Sequence, residues 1–227
     1  MTETKRSYLH VCEFIGSMFL VIAAISPMIL FLEIFQTNLA IAVVADALAV
    51  GFVLFALIEI FGPICTSYFN PAVSFAMAVN KEISWMEAIR YSLFQISGGF
   101  FGVIIAHSMY YDSIPKLVTI STISRSGGAY IGELIGTFIL VLCIISLVHQ
   151  RSDRTSLVVG FLVSGMLLAT SSTMFANPQV TIARIFTYSA AGINYIDAGM
   201  FILIQLFSAV LAVFTWKHVI SRCSCKI

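Results

Sequence analysis

The sequence is 227 residues long, 59% hydrophobic and only 10% charged, with 12 Lys and Arg against 11 Asp and Glu for a net charge of +1. With a mean hydropathy of +1.00, it lies far from an ordinary soluble domain, where roughly a quarter of residues are charged, so lipid is the solvent it needs. The small net charge offers no basic face to neutralise a run of phosphates, which excludes nucleic acid as a partner.

From the front, residues 2–7 are short and polar, and the apolar stretch after His10 is too long for a signal core and lacks a small-residue cleavage site. It reads as the first membrane helix. Apolar runs then occupy about 9–35, 39–61, 86–110, 130–148, 157–172 and 198–219, each close to the length that crosses a bilayer core. The expectation is one membrane domain over 1–227 with six spans and both termini on one side. Lys5, Arg6, Lys81, Arg90, Arg151, Arg154, Lys217, Arg222 and Lys226 fall on that side, against Lys116, Arg125 and Arg184 on the other. By the positive-inside rule the termini are cytoplasmic.

The two halves of the chain repeat. Glu13-Phe14-Ile15-Gly16 in the first span is answered by Glu133-Leu134-Ile135-Gly136 in the fourth. Leu48-Ala49-Val50-Gly51-Phe52 is answered by Leu157-Val158-Val159-Gly160-Phe161, and Gln95 by Gln205. Three matches in one order define repeat halves of about 8–110 and 129–220. Because each half has an odd number of spans, the second enters from the opposite face, giving an inverted repeat.

Asn70-Pro71-Ala72 follows the second span and Asn177-Pro178-Gln179 follows the fifth. Both read as helix starts, since Asn is a strong N-cap and Pro at the first helical position gives up no hydrogen bond. The apolar segment from Asn70 to Asn80 makes a helix of roughly 15 Å, half a membrane. Such a half-helix is tolerated only where protein or a wet cavity surrounds its irregular lead-in. Two of them entering from opposite faces meet near the midplane with their positive ends together, which repels cations. Each Asn oxygen caps its own helix while the amide offers N–H donors to a molecule in transit, and the preceding carbonyls supply acceptors.

Other residues carry less. Glu13 and Glu133 are intramembrane carboxylates, read either as proton carriers of a secondary transporter or as acceptors for backbone N–H groups of the loops leading to the half-helices. Glu59 and Asp46 have no repeat partner. His10, His107, His149 and His218 sit at span ends without metal-ligand spacing and read as interface residues. Cys12, Cys65 and Cys143 read as packing thiols, and Cys223 with Cys225 supplies two soft ligands, too few for a metal site. Gly98, Gly99 and Gly102, with Gly132 and Gly136, suit close helix approach. No nucleophile has a base and an orienting partner, so no enzyme and no cofactor is expected.

At its paired Asn-Pro motifs the chain resembles the aquaporin, or major intrinsic protein, family over essentially its whole length. The resemblance implies an all-α membrane fold of six transmembrane helices plus two half-membrane helices in an inverted 3+3 repeat. It further implies a pore in each subunit of a homotetramer, passing water or small neutral solutes. Asn70-Pro71-Ala72 matches the first signature in full, whereas the second has Gln179 in place of Ala, and Tyr68 stands where the family usually has His. The filter Arg that usually follows the second motif is replaced by Val180. Counting from the two Asn residues, the other filter positions are Val50, Gly165 and Met174, a ring without aromatic residue, His or Arg. A wider, more apolar passage follows. The pattern is similar to a bacterial branch associated with arsenic-resistance operons, which implies glycerol-like or neutral metalloid solutes and a bacterial inner membrane. Arg184, one turn beyond Val180, either replaces the missing charge at the outer vestibule or snorkels to the interface. The rival reading is a proton-coupled secondary transporter using Glu13, Glu59 or Glu133.

Overall fold

A computed structural model describes residues 3–221, with side chains from Tyr8 onward. The side chains of Lys5 and Arg6, and all of Arg222, Cys223, Cys225 and Lys226, lie outside the described residues. The helices are α1 (Glu3–Met28), α2 (Leu39–Phe61), α3 (Pro71–Val79), α4 (Trp85–Ser108), α5 (Gly128–His149), α6 (Thr155–Ala169), α7 (Pro178–Ala183) and α8 (Tyr195–Thr215). A π-helical turn, Ile29–Ile34, extends α1 just after Pro27, whose missing N–H loosens the ladder there. A second, Trp216–Ile220, extends α8. Capping side chains place several starts: Asn38 accepts from Ile41 N–H, Ser84 from Glu87 N–H, and Asn194 from Ile196 and Asp197 N–H.

Among the described residues, five helical stretches are long and apolar enough to cross a bilayer: Tyr8–Ile34, Leu39–Phe61, Trp85–Ser108, Gly128–His149 and Tyr195–Ile220. The fifth expected span is shorter than its apolar run, because α6 has 15 residues and stops at Ala169, roughly 22 Å of helix. Thr170 is already extended, and the hydroxyls of Thr170 and Ser172 both accept from Met174 N–H, at 2.9 and 3.1 Å. Local side-chain bonds of this kind compete with the helical ladder.

The packing follows the repeat. α1 lies along α4 as α5 lies along α8, α2 crosses α6, and α3 and α7 touch each other inside the bundle. Small residues permit these approaches. A Cβ on Gly98 would strike the Phe14 carbonyl of α1, one on Gly51 would stand 2.8 Å from the Gly160 oxygen, and one on Gly160 at the same distance from the Gly51 oxygen. In α8 the positions matching Gly98 and Gly102 are Ser208 and Ala212, and Ser208 Oγ uses the close approach to donate to the Leu134 carbonyl at 3.0 Å. Large apolar side chains such as Phe52, Phe161, Leu203, Phe207 and Phe214 are exposed on the outside, as lipid requires and water does not. The chain is an integral membrane protein of all-helical class.

Candidate functional site

The two segments leading into α3 and α7 are built alike. Positive φ occurs three residues before each Asn, at Ser67 (50°) and Met174 (33°), and again one residue before, at Phe69 (47°) and Ala176 (44°). None is glycine, so each kink costs roughly 1–3 kcal/mol and needs support from its surroundings. That support is a carboxylate. Glu13 Oε1 accepts from Tyr68 N–H and Thr66 Oγ1, both at 2.9 Å, and Oε2 from Phe69 N–H at 2.7 Å. Glu133 accepts from the N–H groups of Phe175 and Ala176, both at 2.8 Å. Gln95 and Gln205 donate to these carboxylates at 2.8 and 2.6 Å, and each also bonds the hydroxyl, Ser74 or Thr181, that donates to its Asn carbonyl. The Glu and Gln repeat pairs seen in the sequence, together with the lead-in to each Asn, thus belong to one hydrogen-bonded unit present twice.

Asn70 Oδ1 accepts from Ala72 N–H at 2.9 Å and Asn177 Oδ1 from Gln179 N–H at 3.1 Å, so each caps its own half-helix. Their amides cross over: Asn70 Nδ2 donates to the Ala176 carbonyl at 2.8 Å and Asn177 Nδ2 to the Phe69 carbonyl at 2.9 Å. Each amide has two hydrogens, which leaves one per Asn beyond its cross-bond. Both Asn residues line a cavity of about 110 Å³. Pro71, Pro178 and Ala72 are buried behind them as the first turns of α3 and α7.

The cavity walls are stripes at i, i+4 spacing, one face of each helix: Leu20 and Ala24 of α1, Val50, Leu54 and Ile58 of α2, Leu140, Ile144 and Val148 of α5, and Thr155, Val159, Val163 and Leu167 of α6. The α6 stripe alone extends roughly 18 Å along the axis. Of the four expected ring residues, Val50, Met174 and Val180 lie on the cavity. Gly165 does not. It is two residues from both Val163 and Leu167, about 200° around the helix, and sits in an outer groove with Leu48, Gly51 and Phe161. Counting back from Asn177 had carried the register across the non-helical stretch after Ala169, where it does not hold.

Gln179 is fully buried and lies off the cavity. Its Nε2 is 3.4 Å from the Phe69 carbonyl, and its Oε1 rests against Gly99 of α4, where a Cβ would clash with it. Tyr68, in contrast, lines the cavity and meets Tyr91 edge to face.

The mouth is less bare than the sequence led us to expect, because Phe175 and Arg184 also line the cavity. Arg184 is not at the interface: it is 2% exposed, with Nη2 donating to the Ala24 carbonyl at 2.7 Å and to Asp46 Oδ2 at 3.3 Å. Its guanidinium lies 4.3 Å from the centre of the Phe175 ring, and that of Arg125 lies 5.0 Å from the same ring. Arg125 is tied to the carbonyls of Gly192 and Ala190; burial, with repulsion from Arg184, pushes it down to about 10, still charged at neutral pH. Phe175 was missed by reading the sequence, and Asp46 was singled out there without a role. The one available signal was that Asp46 and Arg184 are opposite charges placed toward the same face by the six-span topology. Glu59, the other carboxylate left open, accepts from Ser156 at 2.6 Å. His107 is buried rather than interfacial, held by the Leu117 carbonyl at 2.6 Å and Thr187 Oγ1 at 2.9 Å.

The profile of the family described as "Major intrinsic protein" matches residues 1–176. The chain belongs to the major intrinsic protein family. Among curated relatives, the aquaglyceroporin AqpS of Rhizobium meliloti (strain 1021) is 30% identical over 208 residues, covering 91% of this chain and 88% of that protein. Aquaporin-1 of Ovis aries is 28% identical over 93% of this chain and 81% of its own. Among solved structures, the aquaglyceroporin from Plasmodium falciparum superposes with a TM-score of 0.74 at 20% identity, covering 95% of this chain and 97% of that one. That last likeness concerns the fold. As a member of the major intrinsic protein family the chain is a channel protein, and its paired half-helices meet where the Asn70 and Asn177 amides cross.

Proposed function

We propose that the protein is a passive channel for water and small neutral solutes, glycerol-like polyols or neutral metalloids. In this reading it works as a homotetramer in a bacterial inner membrane with both termini cytoplasmic. The observation that carries the reading is the crossed pair Asn70 and Asn177 on the wall of a largely apolar cavity. A solute sheds water against Val50, Met174 and Val180, with Val163 or Leu167 of α6 in the place first assigned to Gly165. It then exchanges hydrogen bonds with the free N–H of each Asn. The half-helix ends make that point unfavourable for cations and for a proton relayed along water. Gln179, packed against Gly99, leaves the midplane width to the two Asn residues. Arg184 supplies donors at the outer vestibule.

The carboxylates speak against proton-coupled transport. Glu13 accepts from Thr66, Tyr68, Phe69 and Gln95, and Glu133 from Phe175, Ala176 and Gln205. Protonating either would set an O–H against donors that need its oxygens.

Stopped-flow light scattering on proteoliposomes tests this with water, glycerol and arsenous acid, for the parent and Val180→Arg. The expected result is rapid solute flux in the parent, cut at least tenfold by the substitution while water still passes. Flux no greater than that of empty liposomes would overturn it, and accumulation that collapses with an uncoupler would favour the transporter.

A further inference from the structure

The outer end of the cavity carries a charge arrangement that the channel reading does not use. Arg184 presents its guanidinium to the cavity wall, while Asp46, 1% exposed, stands behind it and does not line the cavity. The two meet at a single contact, 3.3 Å between Nη2 and Oδ2. Asp46 Oδ1 and Arg184 Nε are both buried without a protein partner among the described residues. A pair this sparsely bonded is a poor device for stability, since apolar residues of equal volume avoid its desolvation cost. It also stands beside a second cation: Arg125 lies against the same Phe175 ring.

Without Asp46 the Arg184 guanidinium would lose the carboxylate in contact with it, with Arg125 on the same ring and the carboxylates of Glu133 and Asp197 taken up by the N–H groups of Phe175, Ala176 and Arg125, in series with the positive half-helix ends at the midplane. Such a path attracts anions, because an uncompensated charge in a low-dielectric wall projects its field far into the passage. With a carboxylate directly behind the wall guanidinium, the field falls off as that of a dipole, yet the hydrogen-bond donors remain.

We propose that Asp46 determines specificity by cancelling the charge of Arg184 at the outer mouth, so that neutral solutes are admitted and small anions are not drawn in. Asp46 touches no solute. It is a positioning and charge-balancing residue acting through Arg184, and the proposal rests on the channel reading.

The test is nitrate entry into proteoliposomes of the parent, Asp46→Asn, Asp46→Glu and Asp46→Asn/Arg184→Gln, with water and glycerol flux measured on the same vesicles. Asp46→Ser, whose smaller side chain leaves room for water against the guanidinium, serves where the amide variant does not fold. The expected result is nitrate flux raised at least tenfold in Asp46→Asn or Asp46→Ser, absent in Asp46→Glu, and absent again once Arg184→Gln is added. A merely structural role would not give a gain that depends on Arg184. A folded variant with the parent's nitrate flux, or a rise that survives Arg184→Gln, overturns the proposal. A parent that moves neither water nor glycerol faster than empty vesicles instead fails the channel reading itself.

Discussion

Gln179 occupies the position that Ala72 holds in the first half, and its longer side chain is accommodated because Gly99 of α4 offers no Cβ. The two residues are therefore one packing unit. Gly99→Ala should destabilise the protein by about 1–3 kcal/mol through overpacking, and Gly99→Ala/Gln179→Ala should recover most of that loss. Thermal unfolding in detergent measures both, and additive losses would contradict the pairing. Single residues were legible in the sequence where they occur twice: Asn70 with Asn177, Glu13 with Glu133 and Gln95 with Gln205 announce a shared task by repeating. Asp46 has no such echo, Phe175 is matched only by the unlike Tyr68, and Gly99 announces a close approach without naming Gln179 as what fills it. Their partners are brought near only by tertiary packing, so no local pattern could point to them.

At the scale of elements, the crossing of α2 and α6 is set by Gly51 and Gly160, each of which leaves room for the other's carbonyl oxygen. Those two helices also carry the stripes Val50, Leu54, Ile58 and Thr155, Val159, Val163, Leu167 that wall the cavity. Gly51→Leu should push the helices apart at their closest point and misplace both stripes together, so water flux should fall at least tenfold, with a lower unfolding temperature. Flux at the parent level in a folded variant would show that the crossing does not set the passage. Helix existence was readable from apolar run length. The end of α6 was not, because Thr170 and Ser172 turn their hydroxyls to Met174 N–H inside an otherwise apolar run. The misplacement of Gly165 follows from that same non-helical stretch, since helical counting fails once the helix has ended.

Over the whole molecule the charge is small but unevenly divided along the sequence, with most Lys and Arg assigned to the side of the termini. Reporter fusions at the two ends should both be active only as cytoplasmic reporters, and a periplasmic signal from either would reverse the orientation. The inverted architecture was legible from the order of the repeats, and the lipid-facing surface from composition. The charged detail of the mouth was not, because it joins α1, α2, the connection before α5 and the turn just after α7, from Ala24 to Arg184.

The crossed amide bonds also have a consequence in time. Asn70 donates to Ala176 and Asn177 to Phe69, groups 106 and 108 residues apart in sequence. At a synthesis rate of about 5–20 residues per second, roughly 5–20 s separate the translation of the two partners. Once it has emerged from the ribosome, the first half-helix spends the rest of that interval without the acceptor for its Asn70 amide N–H. The seating of α3 is thus an event of the second half's arrival, and ribosome-stalled chains ending before residue 176 should leave Asn70 accessible to water-borne reagents.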